Sequence, residues 1–444
     1  MVVKGKIVVL GAGKSSSYLI KYISDWAAEN QVGLLIADAF PEALQRARTI
    51  VRPEALSEFV LLRQGDLFSL EDVVMQGTVV ISMLPVAYHY GVAQACLKYH
   101  KHLLAASYIS NEIQALDKDV KQKGLTFLFE CGLDPGIDHM SAFELLDRIQ
   151  HKQEEVISFI SVTGGLVDPE YEGDNPWQYK LTWNPRNVVL AGMGTALFKE
   201  NALIKKIPYK QLFAIARSLS WKGKEELEYY PNRDSFKYQE LYGLPMVQTF
   251  IRGTIRRKGY SEAWNVLVQL GMTDDEKIME PVPTYASFLT HFVSSDWSRQ
   301  ALESRLGNGI SDAVWTKINY LSLHADIAFK QPHHTAAAYL QEILEDKWAL
   351  NKDDKDWVLM QHRIKTVKGG IEKEYLSTLS VKGENSIFTA MAKTVGLPLA
   401  MAAICVYENT WREPGINIPS NQRLYLQILS QLKKEGVFFE EEQS

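Results

Sequence analysis

Cysteine is scarce: Cys96, Cys131 and Cys405 are the only three in 444 residues. An odd and scattered set supports neither a disulfide framework nor a zinc site, and it suits a reducing compartment, so a cytoplasmic protein is expected. The adjacent pair His333-His334 has no further ligand at a metal-binding spacing, so no metal is expected. Long apolar runs are missing too. The longest, Leu397 to Tyr407, is interrupted by Pro398 and falls short of the roughly 18 residues a membrane span needs. The N-terminus reaches Gly11 after too few apolar residues for a signal-peptide core. No membrane association is expected. Nor is there an excess of charge of one sign: 48 Lys and Arg against 53 Asp and Glu leave a net charge of -5. The absence of a long like-charge block argues against phosphate-neutralising nucleic-acid binding, while a small polar or acidic substrate remains open. What the chain does have is apolar bulk, 46% of its residues. At roughly 100–200 residues per domain it has room for two or three cores.

The first third alternates apolar runs with helical patterns, the reading expected of a doubly wound parallel sheet. Six strands are predicted, at Lys6-Leu10, Gly33-Ala37, Phe59-Arg63, Val79-Met83, His102-Ala106 and Leu125-Glu130. From about Glu154 the texture changes. Val156-Val162 and Thr249-Arg252 read as strands of a mostly antiparallel sheet, and Thr284 to Leu350 reads all-helical. Segments on either side of Lys368-Gly369-Gly370 form a plausible hairpin. Ile387 to Tyr407 is expected to make two short helices broken at Gly396-Leu397-Pro398. The fold class is therefore α/β: a Rossmann-like sheet at 1–131 completed by 386–444, an α+β substrate domain at 132–283 with 356–385, and a small helical domain at 284–355.

Gly11-Ala12-Gly13-Lys14-Ser15-Ser16 sits between the first strand and a helix, where a dinucleotide pyrophosphate would meet backbone N–H groups and the positive helix end. Gly11, Gly13, Lys14, Ser15 and Ser16 are the candidate cofactor contacts. The usual third glycine is replaced by Ser16, so an ordinary strand-helix turn remains the other reading. Asp38, ending the second strand, is placed to accept both ribose hydroxyls and to repel a 2′-phosphate. It predicts NAD rather than NADP, with NADP possible; its other reading is a helix cap before Pro41.

A second constellation lies at the carboxyl ends of later strands, the edge where open α/β sheets place ligands. Ala105-Ala106-Ser107-Tyr108 ends the fifth strand, and Cys131 to His139 follows the sixth. Asp134 is a carboxylate at the lip of the Pro135-Gly136 turn. Asp138 reads first as an N-cap, and His139, with no visible partner, as structural.

These runs carry a resemblance. Leu133-Asp134-Pro135-Gly136-Ile137-Asp138-His139, preceded by Ala106-Ser107-Tyr108, is similar to the glutamate-forming saccharopine dehydrogenases. So are Gly164-Gly165-Leu166, Asp174-Asn175-Pro176, Tyr230-Pro231-Asn232-Arg233-Asp234-Ser235, Arg252-Gly253-Thr254-Ile255-Arg256, Leu359-Met360-Gln361-His362 and Ala390-Met391-Ala392-Lys393. The motifs keep the family's order along essentially the whole chain. The resemblance implies oxidation of saccharopine at its secondary amine by hydride transfer to a nicotinamide, then hydrolysis of the imine to glutamate and 2-aminoadipate semialdehyde. It implies Arg233 and Arg256 as carboxylate clamps, with Thr254 and Ile255 alongside, which suits a substrate carrying three carboxylates. Read without the resemblance, Arg233 pairs with Asp234 at the surface. The resemblance further implies Asp134 at the substrate ammonium, Ser107 and Tyr108 at a carboxylate, and Leu84, Ala106, Ser107 and Leu133 against the cofactor. Asp134 and Tyr108 are the candidates for moving protons, with the base unassigned. Thr163 stands where the family often has cysteine. The site is expected in the cleft between the first two domains.

The other readings are an NADP-using biosynthetic reductase, a dehydrogenase of a related secondary-amine dicarboxylate, and a nucleotide-binding protein without turnover. A homodimer is expected by analogy.

Overall fold

A computed structural model of the chain describes residues 5–63, 67–293 and 297–444. Residues 1–4, where the N-terminal reading begins, lie outside them. The chain divides into two compact units, Met1–Gln153 with Leu379–Glu440, and Glu154–Thr378 with Glu441–Ser444.

The first unit opens with β1 (Lys6–Leu10), β2 (Gly33–Asp38), β3 (Ser57–Leu61), β4 (Val79–Ser82), β5 (His102–Ala105) and β6 (Thr126–Leu128). Each is paired in parallel with its neighbour. The crossovers carry helices such as Ser17–Asn30, Pro41–Ile50 and Val86–Lys98. In the central strands both faces are covered, so β1, β2, β4 and β5 read as continuous apolar runs.

The second unit begins at β7 (Glu155–Val167) and continues through β8 (Thr195–Glu200), β9 (Leu203–Pro208), β10 (Arg217–Trp221), β11 (Lys224–Pro231), β12 (Thr249–Arg257), β13 (Asp356–Lys368) and β14 (Ile371–Lys382). The expected antiparallel character holds for β7 with β13, whereas β7 and β12 run parallel. The hairpin between β13 and β14 turns on Gly369 and Gly370, at φ 59° and 80°, the left-handed pair a two-residue turn demands. The helices from Tyr285 to Lys347 do not form a core of their own. Tyr285, Phe288, Leu302, Ile318, Tyr339 and Leu344 share one apolar cluster with Trp177, Tyr179, Tyr260, Trp264 and Trp348, which joins them to the sheet's own unit.

The chain then returns. β15 (Gly415–Asn417) pairs in parallel with β6, giving the first sheet seven strands in the order β15-β6-β5-β4-β1-β2-β3. β16 (Phe439–Gln443) ends the other sheet, beside β14. One expectation fails in this unit. Ile387 to Tyr407 is not two helices: one helix, Ala390–Glu408, runs through Pro398. An interior proline costs about 3 kcal/mol. Here the helix is long and apolar enough for a membrane span by length and composition, and 78% of its apolar window is buried in the protein, so burial outweighs that cost. The compact units divide at Gln153, past the boundary expected after residue 131. Helix Ile137–His151 packs on helix Gln422–Lys434, with Phe143 stacked on Tyr425 at 6.1 Å and Gln422 bonded to Asp147.

Candidate active site

Gly11 has φ 98°, and a Cβ there would lie 2.9 Å from the Met83 carbonyl carbon, so no side chain fits. Gly13 differs. Its φ is -70°, and nothing lies within 4 Å of where its Cβ would be, so its lack of a side chain serves the open space beside the turn. Ser16, in the place of the usual third glycine, closes the turn by donating to the Gly13 carbonyl at 2.7 Å. Exposed Lys14 and half-buried Ser15 form the 3-10 turn that leads into helix Ser17–Asn30. The first N–H groups of such a helix lack intrahelical acceptors, so this cradle fits a pyrophosphate.

Asp38 is buried at the end of β2. Its Oδ2 accepts from the Ala12 N–H at 2.6 Å and its Oδ1 from the Phe40 N–H at 2.9 Å. It therefore ties the glycine turn to β2 and is not the N-cap of helix Pro41–Ile50, a position held by Phe40. Arg46 reaches over the same turn, with Nη2 3.5 Å from the Ala12 carbonyl.

The other first-unit candidates gather at the carboxyl ends of β4, β5 and β6. Leu84 is half-buried against the sheet's apolar cluster. Ala106 backs onto Gly132, where a Cβ would meet the Ala106 Cβ at 2.9 Å, and Leu133 is buried beside it in sequence. The Tyr108 hydroxyl donates to Asp134 Oδ1 at 3.0 Å, bringing the two proton-moving candidates together.

Two residues that sequence reasoning passed over organise this edge. His89 is buried and bridges two hydroxyls, with Nδ1 3.0 Å from Ser82 Oγ and Nε2 2.8 Å from Ser107 Oγ. Burial pulls its pKa down to about 4. Glu130 accepts from the Ile109 N–H at 3.2 Å, donates its own N–H to the Ser107 carbonyl at 3.0 Å, and meets His139 Nε2 at 3.0 Å. His139, expected to lack a partner, thus has one in Glu130. Asp138 departs from its N-cap reading. It lies inside helix Ile137–His151 and accepts backwards from the N–H of Gly136, the actual cap residue, at 2.6 Å. The only signal for His89 was its place one turn into the helix after β4. Its partners lie 7 and 18 residues away in sequence, beyond any local pattern.

In the second unit, Thr254, Ile255 and Arg256 lie on β12 and alternate across the sheet. Arg256 is buried, its guanidinium 5.1 Å from the Tyr260 ring, 5.3 Å from Tyr179 and 5.8 Å from Tyr230. Its Nη1 donates to the Ile255 carbonyl at 3.0 Å, while its Nε has no partner among the described residues. Burial works to lower its pKa, and the hydroxyls of Tyr230, Tyr179 and Tyr260 raise it further than burial lowers it. Ile255 points the other way, into a cluster with Val162, Leu219 and Trp221, so only its main chain is available to a ligand on the Arg256 face. Half-buried Thr254 pairs in register with Tyr230 and with Thr163, whose buried hydroxyl has no partner among the described residues. Arg233 is exposed, just beyond the end of β11, at φ 49°, and its carbonyl accepts from the Leu197 N–H at 2.9 Å. Among the described residues no group of three His, Cys, Asp or Glu could hold a metal ion.

Two family models match the chain. Residues 7–128 match the saccharopine dehydrogenase NADP binding domain, and residues 132–437 match the saccharopine dehydrogenase C-terminal domain. The chain belongs to the saccharopine dehydrogenase family. It is 31% identical to the mitochondrial alpha-aminoadipic semialdehyde synthase of Mus musculus over 99% of its own length, though it spans about half of that relative, 48%. It is 29% identical to the NADP(+), L-glutamate-forming saccharopine dehydrogenase of Saccharomyces cerevisiae over 98% of both chains. The solved apo structure of the L-Glu-forming saccharopine dehydrogenase from Saccharomyces cerevisiae superposes with a TM-score of 0.84 at 27% identity, covering 99% of this chain and 100% of that one.

Proposed function

We infer that this protein interconverts saccharopine with glutamate and 2-aminoadipate 6-semialdehyde, using a nicotinamide dinucleotide. The observation that carries the reading is the Tyr108–Asp134 pair at the same sheet edge as the glycine turn, a hydroxyl and a carboxylate in hydrogen-bond contact. The names of the fungal relatives support it. When bound, the dinucleotide supplies the hydride acceptor for oxidation of the secondary amine. The turn Gly11–Ser16 binds its pyrophosphate through backbone N–H groups. Asp134 holds the substrate nitrogen, and the Tyr108–Asp134 pair moves the proton that water attack on the imine releases. Arg256, a buried cation whose Nε has no acceptor among the described residues, holds one substrate carboxylate, and exposed Arg233 holds another.

For the cofactor, the reading is NAD over NADP. Asp38 places a buried carboxylate against the Ala12 N–H at the end of β2, where a 2′-phosphate would meet like charge. The NADP reading is favoured by the fungal names and by Arg46, a cation beside the same turn. Reduced-nicotinamide absorbance with saccharopine, recorded with NAD and NADP in parallel at mildly alkaline pH, tests both. Turnover with NAD at a kcat/KM well above that with NADP is expected. Equal efficiency would overturn the role of Asp38, and silence with both from folded protein would overturn the reaction.

A further inference from the structure

Ser82, His89 and Ser107 form a chain of hydrogen bonds with one closed end. Ser82 is 1% exposed, ends β4, and its hydroxyl meets only His89 Nδ1 among the described residues, at 3.0 Å. At the other end, His89 Nε2 meets Ser107 Oγ at 2.8 Å, and Ser107 is half-buried at the ligand edge of the sheet. The His89 ring is 3% exposed and stands edge-on to Phe129 at 6.2 Å, which locks its orientation.

Closure at Ser82 settles the direction of every bond. A neutral imidazole has one N–H and one lone pair, and a buried hydroxyl proton needs an acceptor. Among the described residues the Ser82 proton finds one only in Nδ1. Nδ1 is then the acceptor, Nε2 carries the hydrogen, and that hydrogen is donated to Ser107 Oγ. Ser107 has accepted its bond from within the protein and turns its own hydroxyl proton outward. Burial, which depresses the basicity of His89, keeps the ring neutral and this arrangement intact at physiological pH.

We propose that His89 is a positioning residue which, as its Nε2–H tautomer, makes Ser107 a one-way hydrogen-bond donor to a carboxylate oxygen of the substrate. The proposal rests on the saccharopine reading above for the identity of that carboxylate. The chain orients and does not shuttle: a proton entering at Ser107 would stop at Ser82, which has no onward partner among the described residues. A hydroxyl committed to donation stabilises an anionic oxygen, whereas one free to rotate does so only part of the time.

The test combines tautomer and kinetics. Nitrogen-15 NMR of the imidazole in the wild-type chain is expected to show His89 protonated at Nε2, and protonation at Nδ1 would overturn the proposal whether or not the protein turns over saccharopine. In steady-state kinetics, His89→Phe, which removes both bonds, is expected to raise the saccharopine KM about tenfold with kcat within about threefold. His89→Gln, whose amide N–H can still reach Ser107, is expected to recover most of that loss. In a Ser107→Ala background, His89→Phe is expected to add nothing further. A His89→Phe variant with unchanged KM, or one as impaired with Ser107 absent as with it present, would overturn the relay. If Ser107→Ala alone leaves KM unchanged, the substrate role of Ser107 fails instead, and the two failures are told apart.

Discussion

Tyr108 and Asp134 meet at 3.0 Å although they leave neighbouring strands, β5 and β6, and lie 26 residues apart in sequence. Glu130 pins the same two loops from beneath through the Ile109 N–H and the Ser107 carbonyl, so the contact is held by the main chain as well as by the pair itself.

Removing the pair's proton-moving capacity should act on turnover more than on binding. Asp134→Asn is expected to lower kcat by about 100-fold, the low end of what one acid-base group contributes, and Tyr108→Phe by less. Steady-state saccharopine oxidation measures both. A kcat unchanged in Asp134→Asn would remove Asp134 from the proton path.

The two glycines of the turn should fail differently. Gly11→Ala, at φ 98° and 2.9 Å from main chain, is expected to cost about 2 kcal/mol of folding stability or more, read from the urea midpoint. Gly13→Ala, which meets no protein atom, should leave that midpoint nearly unchanged and weaken dinucleotide binding about tenfold by fluorescence titration.

Arg233→Ala should raise the saccharopine KM about 10- to 100-fold, because one charge-assisted carboxylate contact is lost. Arg233 lies in the unit that does not contain the glycine turn, so the dinucleotide Kd is expected to stay the same. Unchanged saccharopine kinetics would return Arg233 to its surface reading.

Acid should loosen the second unit through Glu154. The carboxylate accepts from Lys373, Tyr375 and Thr366, each at 2.8 Å. Lys373 chiefly, against an opposing effect of burial and with help from Tyr375 and Thr366, pulls its pKa from 4.5 down to about 2. A lowered carboxylate pKa contributes stability that is fully present above about 4.5 and lost as the pH falls toward 2. Screening around the half-exposed Lys373 limits the contribution to on the order of 1 kcal/mol. Glu154→Gln should therefore flatten this part of the profile of urea midpoint against pH.

The parallel sheet was legible because its strands are covered on both faces and announce themselves as apolar runs between helical periods. β15 was not. Gly415-Ile416-Asn417 is too short to show a period, and its place is set by pairing with β6, nearly 300 residues earlier. The glycine turn, Asp38, Tyr108 and Asp134 were legible as residue types at strand ends. Their linkage was not, since a hydroxyl and a carboxylate on separate loops leave no spacing to read. The opposed directions of Ile255 and Arg256 follow from strand alternation, yet which face carries the aromatic rings depends in part on Tyr179, far away in sequence. The unbroken helix across Pro398 shows tertiary burial overriding a strong local rule.

That helix has a consequence for how the protein is made. Ala390–Glu408 lies against helix Ser17–Asn30, so closely that a Cβ on Gly396 would reach the Leu19 main-chain nitrogen at 2.8 Å. During synthesis the N-terminal segment therefore leaves the ribosome without the partner that covers Leu19. At about 5–20 residues per second it waits tens of seconds, while the whole of the intervening unit is translated, before its core can close. Nascent chains halted ahead of residue 390 should carry that apolar flank uncovered and recruit chaperones, and chains released past residue 408 should not.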